Sequence, residues 1–136
     1  MTVELEALGL AIKRAQYRNH RTMDAALRPV GISLVQWDAL RAIARMPEAS
    51  GHDLAAATFQ SDQAFGTLAN RLVERGLIVR TPGRGRRIVH ELTDAGRAAL
   101  EEGHAVAADV LDELFAPLDE AQRAALLETL GRLTSH

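Results

Sequence analysis

The 136-residue sequence contains no cysteine. That absence removes disulfides, thiol redox sensing, cysteine nucleophiles and cysteine-based zinc sites together. There is no run of about 18 apolar residues, the minimum for a membrane-spanning helix, so no membrane partner is expected. The N-terminus carries Glu4 and Glu6 where a signal peptide needs basic charge, which predicts a cytoplasmic protein. Internal repeats, low-complexity tracts and long linkers are absent too, so residues 1–136 are expected to form a single domain. Proline occurs only four times, and Pro29, Pro47, Pro82 and Pro117 each interrupt a periodic stretch. With 47% apolar and 25% charged residues, the composition is that of an ordinary globular domain.

The net charge of −2 argues at first against a polyanionic partner. Its distribution argues the other way. Residues 71–87 hold six arginines and one glutamate, whereas residues 93–136 hold three arginines against nine acids. Positive charge is concentrated around one turn and acidity lies in the C-terminal third.

That basic stretch ends the most informative part of the chain, residues 50–92. Ser50 and Asp53 have capping-box spacing and open a short helix carrying Leu54, Ala55 and Ala57. Thr58 to Gln60 make a turn. Ser61 caps a second helix, where Phe65, Leu68, Ala69 and Leu72 recur at i, i+3, i+4 and i+7. Gly76 is placed to end it in the left-handed conformation. Leu77 to Thr81 reads as a strand, Pro82-Gly83-Arg84-Gly85 as a turn, and residues 86–92 as a second strand with Ile88, His90 and Leu92 on one face. A helix-turn-helix followed by an arginine-tipped hairpin suits duplex DNA. The second helix fits the major groove, and the hairpin reaches nearby phosphates or the minor groove.

Flanking segments are helical. Residues 3–28 predict one long helix stopped by Pro29. Ser33, with Gln36 at the capping-box position and Ile32 placed to staple onto Trp37, starts another that runs to about Met46. Thr93 caps a helix from Asp94 to about Phe115. Asp119 caps the last, with Leu126, Leu127, Leu130 and Leu133 as its apolar face. These terminal helices, 3–28 and 94–134, carry more apolar surface than one small lobe can cover. A second copy of the chain is the simplest partner. A two-fold dimer would hold its two recognition helices about 34–36 Å apart, one turn of DNA.

The order and spacing of several motifs resemble the MarR family (multiple antibiotic resistance regulator) of winged-helix transcription factors. They are Gly31-Ile32-Ser33-x-x-Gln36-Trp37, Asp53-Leu54-Ala55, Ser61 eleven residues before Leu72, Leu72-Val73-Glu74-Arg75-Gly76-Leu77-Ile78-x-Arg80, and Leu92-Thr93-x-x-Gly96. The resemblance covers almost the whole chain. It implies a mainly α fold with a small two- or three-stranded β wing, a winged helix-turn-helix lobe over residues 33–92, and N- and C-terminal dimerisation helices. It also implies a regulator, most often a repressor, that binds a palindromic duplex site as a homodimer and answers to a small aromatic or anionic effector. One departure stands out. The family's wing usually carries an Asp-x-Arg element whose Asp braces the arginine at the tip. Here the equivalent stretch is Arg84-Gly85-Arg86-Arg87, with no Asp, which implies a wing that orders only on DNA.

The expected DNA contacts follow from helical phase. With Phe65, Leu68, Ala69 and Leu72 inward, the outward face is Gln63, Gly66, Thr67 and Asn70, with Arg71 at its edge. Gln and Asn can read adenine bidentately, and a threonine methyl suits the thymine methyl. Ser61, Thr67 and Arg71 are candidates for phosphates, and Arg84, Arg86 and Arg87 for the minor groove or its rim. Asp62 at the helix N-terminus would repel a phosphate and is expected to point aside or to discriminate against some sites. By resemblance, Tyr17, His20, Trp37 and Arg41 are candidates to line an effector cleft between the dimer helices and the DNA-binding lobe, a set that would suit a phenolic carboxylate.

No catalytic constellation is present: no glycine-rich phosphate loop, no HExxH, and no serine in an elbow motif. Neither an enzyme nor a bound cofactor is expected. His20 and Asp24, at i and i+4, could share a metal with His104, but zinc needs three or four ligands, so no metal site is assigned. Two alternatives remain from other classes: a winged-helix module that binds protein, and a metal-responsive regulator.

Overall fold

A computed structural model describes residues 2–135. Helix α1 spans Leu5–Leu27 and is followed by a short 3-10 turn, Arg28–Val30. Then come α2 (Leu34–Arg45), α3 (Gly51–Ala57), α4 (Asp62–Glu74), β1 (Ile78–Pro82), β2 (Ile88–Leu92), α5 (Asp94–Phe115) and α6 (Glu120–Thr134). The wing is therefore two-stranded.

Local chemistry explains most boundaries. Ser33, Ser50 and Asp119 each form a reciprocal capping box, with Gln36, Asp53 and Gln122. Ser61 and Thr93 accept from the backbone N–H groups of Ala64 and Gly96. Each cap satisfies donors that have no partner inside the helix, worth about 1 kcal/mol. Beyond α4, Gly76 takes a φ of 73°, which lets Leu77 N–H return to the Leu72 carbonyl at 3.0 Å. Two expectations shift here. Pro29 does not simply stop α1. Its fixed φ is accommodated within the 3-10 turn. Pro82 is not in the turn but is the last residue of β1, opposite Ile88, at a hairpin edge where its missing N–H costs no ladder bond.

The core is built around α2. Ala39, Leu40, Ala42 and Ile43 are buried between α1 and α5 on one side and α3, α4 and the hairpin on the other. Leu27, Leu54, Phe65, Leu72 and Ile78 complete it. Emptying such a site, as in Leu40→Ala, costs about 2–5 kcal/mol. Two glycines permit close approaches. A Cβ on Gly96 would collide with the Leu77 carbonyl, where α5 starts against β1. A Cβ on Gly103 would collide with the Trp37 indole, which lies against α5 and donates its N–H to the Leu100 carbonyl at 3.2 Å.

Outside this core the apolar faces are bare. Leu5, Leu8, Leu10 and Ile12 on α1 are exposed, as are Leu111 and Phe115 on α5 and all four leucines of the apolar face of α6. No described residue of α6 is buried. In the hairpin, His90 is buried and Leu92 half-buried, but Ile88 is 46% exposed although it lies on the same face. The hairpin projects beyond the helices there, so no neighbour covers its tip.

Candidate functional site

Helix α4 presents the face its periodicity requires. Phe65, Ala69 and Leu72 are buried and hold it against the core. Gln63, Thr67, Asn70 and Arg71 are exposed, and Gly66 is half-buried. A Cβ on Gly66 would meet nothing within 4 Å, so no packing within the chain requires glycine there. The Thr67 hydroxyl donates back to the Gln63 carbonyl at 3.1 Å, leaving its methyl to face outward.

Between α4 and the hairpin lies an open cleft of about 470 Å³. Asp62, Gly66 and Asn70 line it from α4, His52 from α3, and Arg80, Arg86, Arg87 and His90 from the hairpin side. Three guanidinium groups thus converge beside the exposed helix face. Arg80, on β1, donates to the Asn70 amide oxygen at 2.7 Å. Arg87 donates to the Glu48 backbone carbonyl at 2.9 Å, tying the hairpin to the loop before α3. The turn itself closes with Gly83 N–H donating to the Arg87 carbonyl at 2.8 Å. A backbone carbonyl thus supplies a tie in a wing that lacks the aspartate brace, and the hairpin is formed without DNA. Arg84 sits exposed at the tip.

Asp62 does turn aside. Its carboxylate lies 2.9 Å from His52 Nδ1, joining α3 to α4. That hydrogen bond and the carboxylate charge raise the His52 pKa above its usual 6.5. His90 behaves oppositely. Burial first, and the nearby Arg80 charge second, hold its pKa below 6.5. Its ring packs edge-on against Phe65, 5.9 Å between centroids, and its Nδ1 has no hydrogen-bond partner among the described residues.

A second cleft, of about 540 Å³, opens where α1, α2 and α5 meet the turn between α3 and α4. It gathers three of the four effector candidates: His20, Trp37 and Arg41. The Arg41 guanidinium lies over the Trp37 ring, 4.5 Å from its centroid, and His104 meets the same ring edge-on at 5.4 Å. Trp37 therefore serves both core and cleft, offering only its π face because its N–H is spent. Arg41 pairs with Asp38 at 3.4 Å, and Asp38, half-buried, has its pKa raised chiefly by desolvation. Tyr17 does not join this group. It lies on another face of α1, its hydroxyl accepting from Arg21 at 3.5 Å. Asp24 is also elsewhere, accepting the Leu34 N–H at 2.8 Å at the start of α2, away from His20.

Comparison with known proteins gives this arrangement a lineage. The sequence profile of the MarR family matches residues 30–88. The HTH-type transcriptional repressor Rv2887 of Mycobacterium tuberculosis is 34% identical over 115 residues, covering 80% of this chain and 82% of that protein. The chain belongs to the MarR family. Among solved structures, a MarR mutant from E. coli complexed with operator DNA superposes with a TM-score of 0.88 at 23% identity, over 95% of this chain and 94% of that one. M. tuberculosis Rv2887 in complex with p-aminosalicylic acid gives 0.77 at 27% identity, over 94% and 98%. Rv2887 in complex with DNA gives 0.76 at 25% identity, over 98% and 100%. The MarR winged-helix fold is thus shared along nearly the whole chain.

Three residues of this MarR-family site have roles that sequence alone does not reveal. Arg80 belongs to the family motif but not to the DNA candidates, because its pairing with Asn70 depends on how β1 crosses α4. Arg75 donates to Gln36 Oε1 at 3.1 Å and to the Gly31 carbonyl at 2.7 Å, clamping the end of α4 to the start of α2. Nothing local signals that clamp. The third, His104, has only a metal-ligand reading in the sequence, and its place against Trp37 follows from α5 packing on α2. No helix among the described residues is long and apolar enough to cross a membrane.

Proposed function

We propose that this chain is a ligand-responsive repressor, acting as a homodimer on a palindromic duplex site. The observation that carries the reading is the cleft in which Arg80, Arg86 and Arg87 stand beside the exposed face of α4. Gln63, Gly66, Thr67 and Asn70 enter the major groove. Ser61 and Arg71 hold phosphates, and Arg84, Arg86 and Arg87 lie in or beside the minor groove. Residues 33–92 are the DNA-binding lobe. The uncovered leucines of α1, α5 and α6 supply the second half of the argument. A helix with no buried residue gains little from its own chain, and a second copy covers it. Residues 3–28 and 94–134 are accordingly the dimerisation helices.

The effector cleft is the one lined by His20, Trp37 and Arg41. Its size falls in the ligand range of roughly 300–1,000 Å³. An aromatic carboxylate fits its chemistry: a guanidinium and an imidazole for the anion, and apolar walls for the ring. The relative Rv2887, crystallised with p-aminosalicylic acid, supports that class. Binding there shifts the balance between arrangements of the two α4 helices and so releases DNA. On this reading the protein works in the cytoplasm and catalyses no reaction. The arginine-rich cleft favours DNA over a protein partner, which would want an apolar wing.

The test is salt-dependent binding of the duplex upstream of the chain's own gene, against a scrambled duplex, with mass measured by sedimentation. A dimer that prefers its own duplex, with a steep salt slope, is expected. A strict monomer, or equal affinity for both duplexes, overturns the reading.

A further inference from the structure

The turn joining α3 to α4 holds an aromatic residue in an unusual state. Phe59 has a φ of 59°, making it the only non-glycine residue at positive φ among those described. Its position follows the end of α3, with Gln60 N–H returning to the Ala55 carbonyl at 2.9 Å, where glycine or asparagine is usual. The ring gains nothing from this strain within the chain. Phe59 is 97% exposed, more than any other large hydrophobic residue described. Yet it stands on the rim of the cleft that contains His20, Trp37, Arg41 and His104. A strained backbone and an uncovered phenyl ring are both unfavourable, and an occupant of that cleft removes the second.

We infer that Phe59 is the lid of the effector cleft, stacking on a planar aromatic anion and passing its binding to the recognition helix. The inference rests on the effector reading above. The charges in the cleft select the occupant. Arg41 has four N–H donors left after its long contact with Asp38, and His20 and His104 face the same space. Asp38 is the one opposing carboxylate, and its half-burial makes protonation easier. Arg41 and Phe59 line the same cleft, so an anion held at Arg41 keeps its attached ring in the space that Phe59 borders. Coupling follows from chain position. Phe59 precedes Ser61, the N-cap of α4, by two residues, so closing the lid pulls on the start of the recognition helix. At its other end α4 is held to α2 by Arg75, so the pull acts against a fixed point.

The experiment uses the full chain with salicylate and cyclohexanecarboxylate as probes, read by the fluorescence of its sole tryptophan, Trp37. DNA release is read in parallel by anisotropy. Phe59→Asn and Phe59→Gly tolerate positive φ and remove the ring, so both are expected to fold. Phe59→Tyr keeps the ring. Salicylate is expected to bind wild type and Phe59→Tyr at least tenfold tighter than cyclohexanecarboxylate. Phe59→Asn and Phe59→Gly are expected to lose at least tenfold in salicylate affinity, and salicylate should no longer release their DNA. If salicylate binds those two variants and releases their DNA as in wild type, the lid is wrong and the effector cleft stands. If wild type binds no salicylate, both ideas fall.

Discussion

The guanidinium of Arg80 and the amide oxygen of Asn70 are joined across 2.7 Å, one from the wing and one from the recognition helix. An asparagine reads adenine by accepting and donating at once. With one lone pair of that oxygen held by Arg80, Asn70 is less free to turn both halves of its amide to one base. Arg80→Ala should therefore lower affinity for every duplex and reduce the salt slope by about 0.9. It should also sharpen the preference for adenine at one position. Anisotropy across a salt series, with single-base operator variants, checks both parts. An unaltered slope would show that Arg80 touches no phosphate.

Gly66 separates stability from binding. No atom lies within 4 Å of an added Cβ, so Gly66→Ala should stabilise the helix by about 1 kcal/mol. If the proposed docking holds, the same methyl stands where the duplex backbone or base edge approaches, so DNA affinity should fall about tenfold, or ~1.4 kcal/mol. Thermal melting and binding are measured on one preparation. A more stable variant that binds as well as wild type would show that α4 does not press its backbone against DNA.

The hairpin arginines act together. Arg86→Ala combined with Arg87→Ala should weaken binding to all sequences and flatten the salt slope by about 0.9 for each phosphate no longer neutralised. Because Arg87 also ties the hairpin to the Glu48 carbonyl, amide exchange in β1 and β2 should quicken in Arg87→Ala but not in Arg86→Ala. Equal exchange in the two single variants would make the tie unimportant.

Trp37 reports on its own packing. Gly103→Ala drives a methyl into the indole and should cost about 1–3 kcal/mol by overpacking. Emission from Trp37 should shift to the red as the ring is pushed from α5, and salicylate affinity should fall with it. A variant with unaltered emission and melting would mean that α5 moves aside freely.

Two histidines give stability opposite slopes with pH. His52 has a raised pKa through Asp62, so its contribution is complete below pH 6.5 and is lost as pH rises through the raised value. The pair is exposed, so that loss should be small, and Asp62→Asn should abolish it. His90 has a lowered pKa through burial and Arg80, so the fold keeps it neutral. Stability should then fall as pH drops below 6.5, where the unfolded chain takes up the proton. Denaturant titrations from pH 5 to 8, with His90→Gln as the control, separate the two. A His90→Gln variant with the same acid-induced destabilisation would place its origin elsewhere.

Helix number, helix ends and the outward face of α4 were legible in the sequence because their causes are local. A cap acts within three residues, as Ser33, Ser50, Ser61, Thr93 and Asp119 all do. An amphipathic stripe needs only the 3.6-residue period. Tyr17 shows where this reasoning stops. It is three residues from His20, yet that spacing turns it about 60° around the helix, and it leaves the cleft for Arg21.

Only the tertiary structure decided which acceptors the arginines meet. Arg87 reaches Glu48 and Arg75 reaches Gln36 across 39 residues of sequence, and Arg80 finds Asn70 through the crossing of a strand and a helix. It also decided that Phe59 lies exposed at positive φ beside the Trp37 cleft, and that the α6 leucines stay uncovered. The order of residues sets periodicity and capping along each element. The packing angles between elements, which bring distant side chains within hydrogen-bond reach, arise only when the whole core closes.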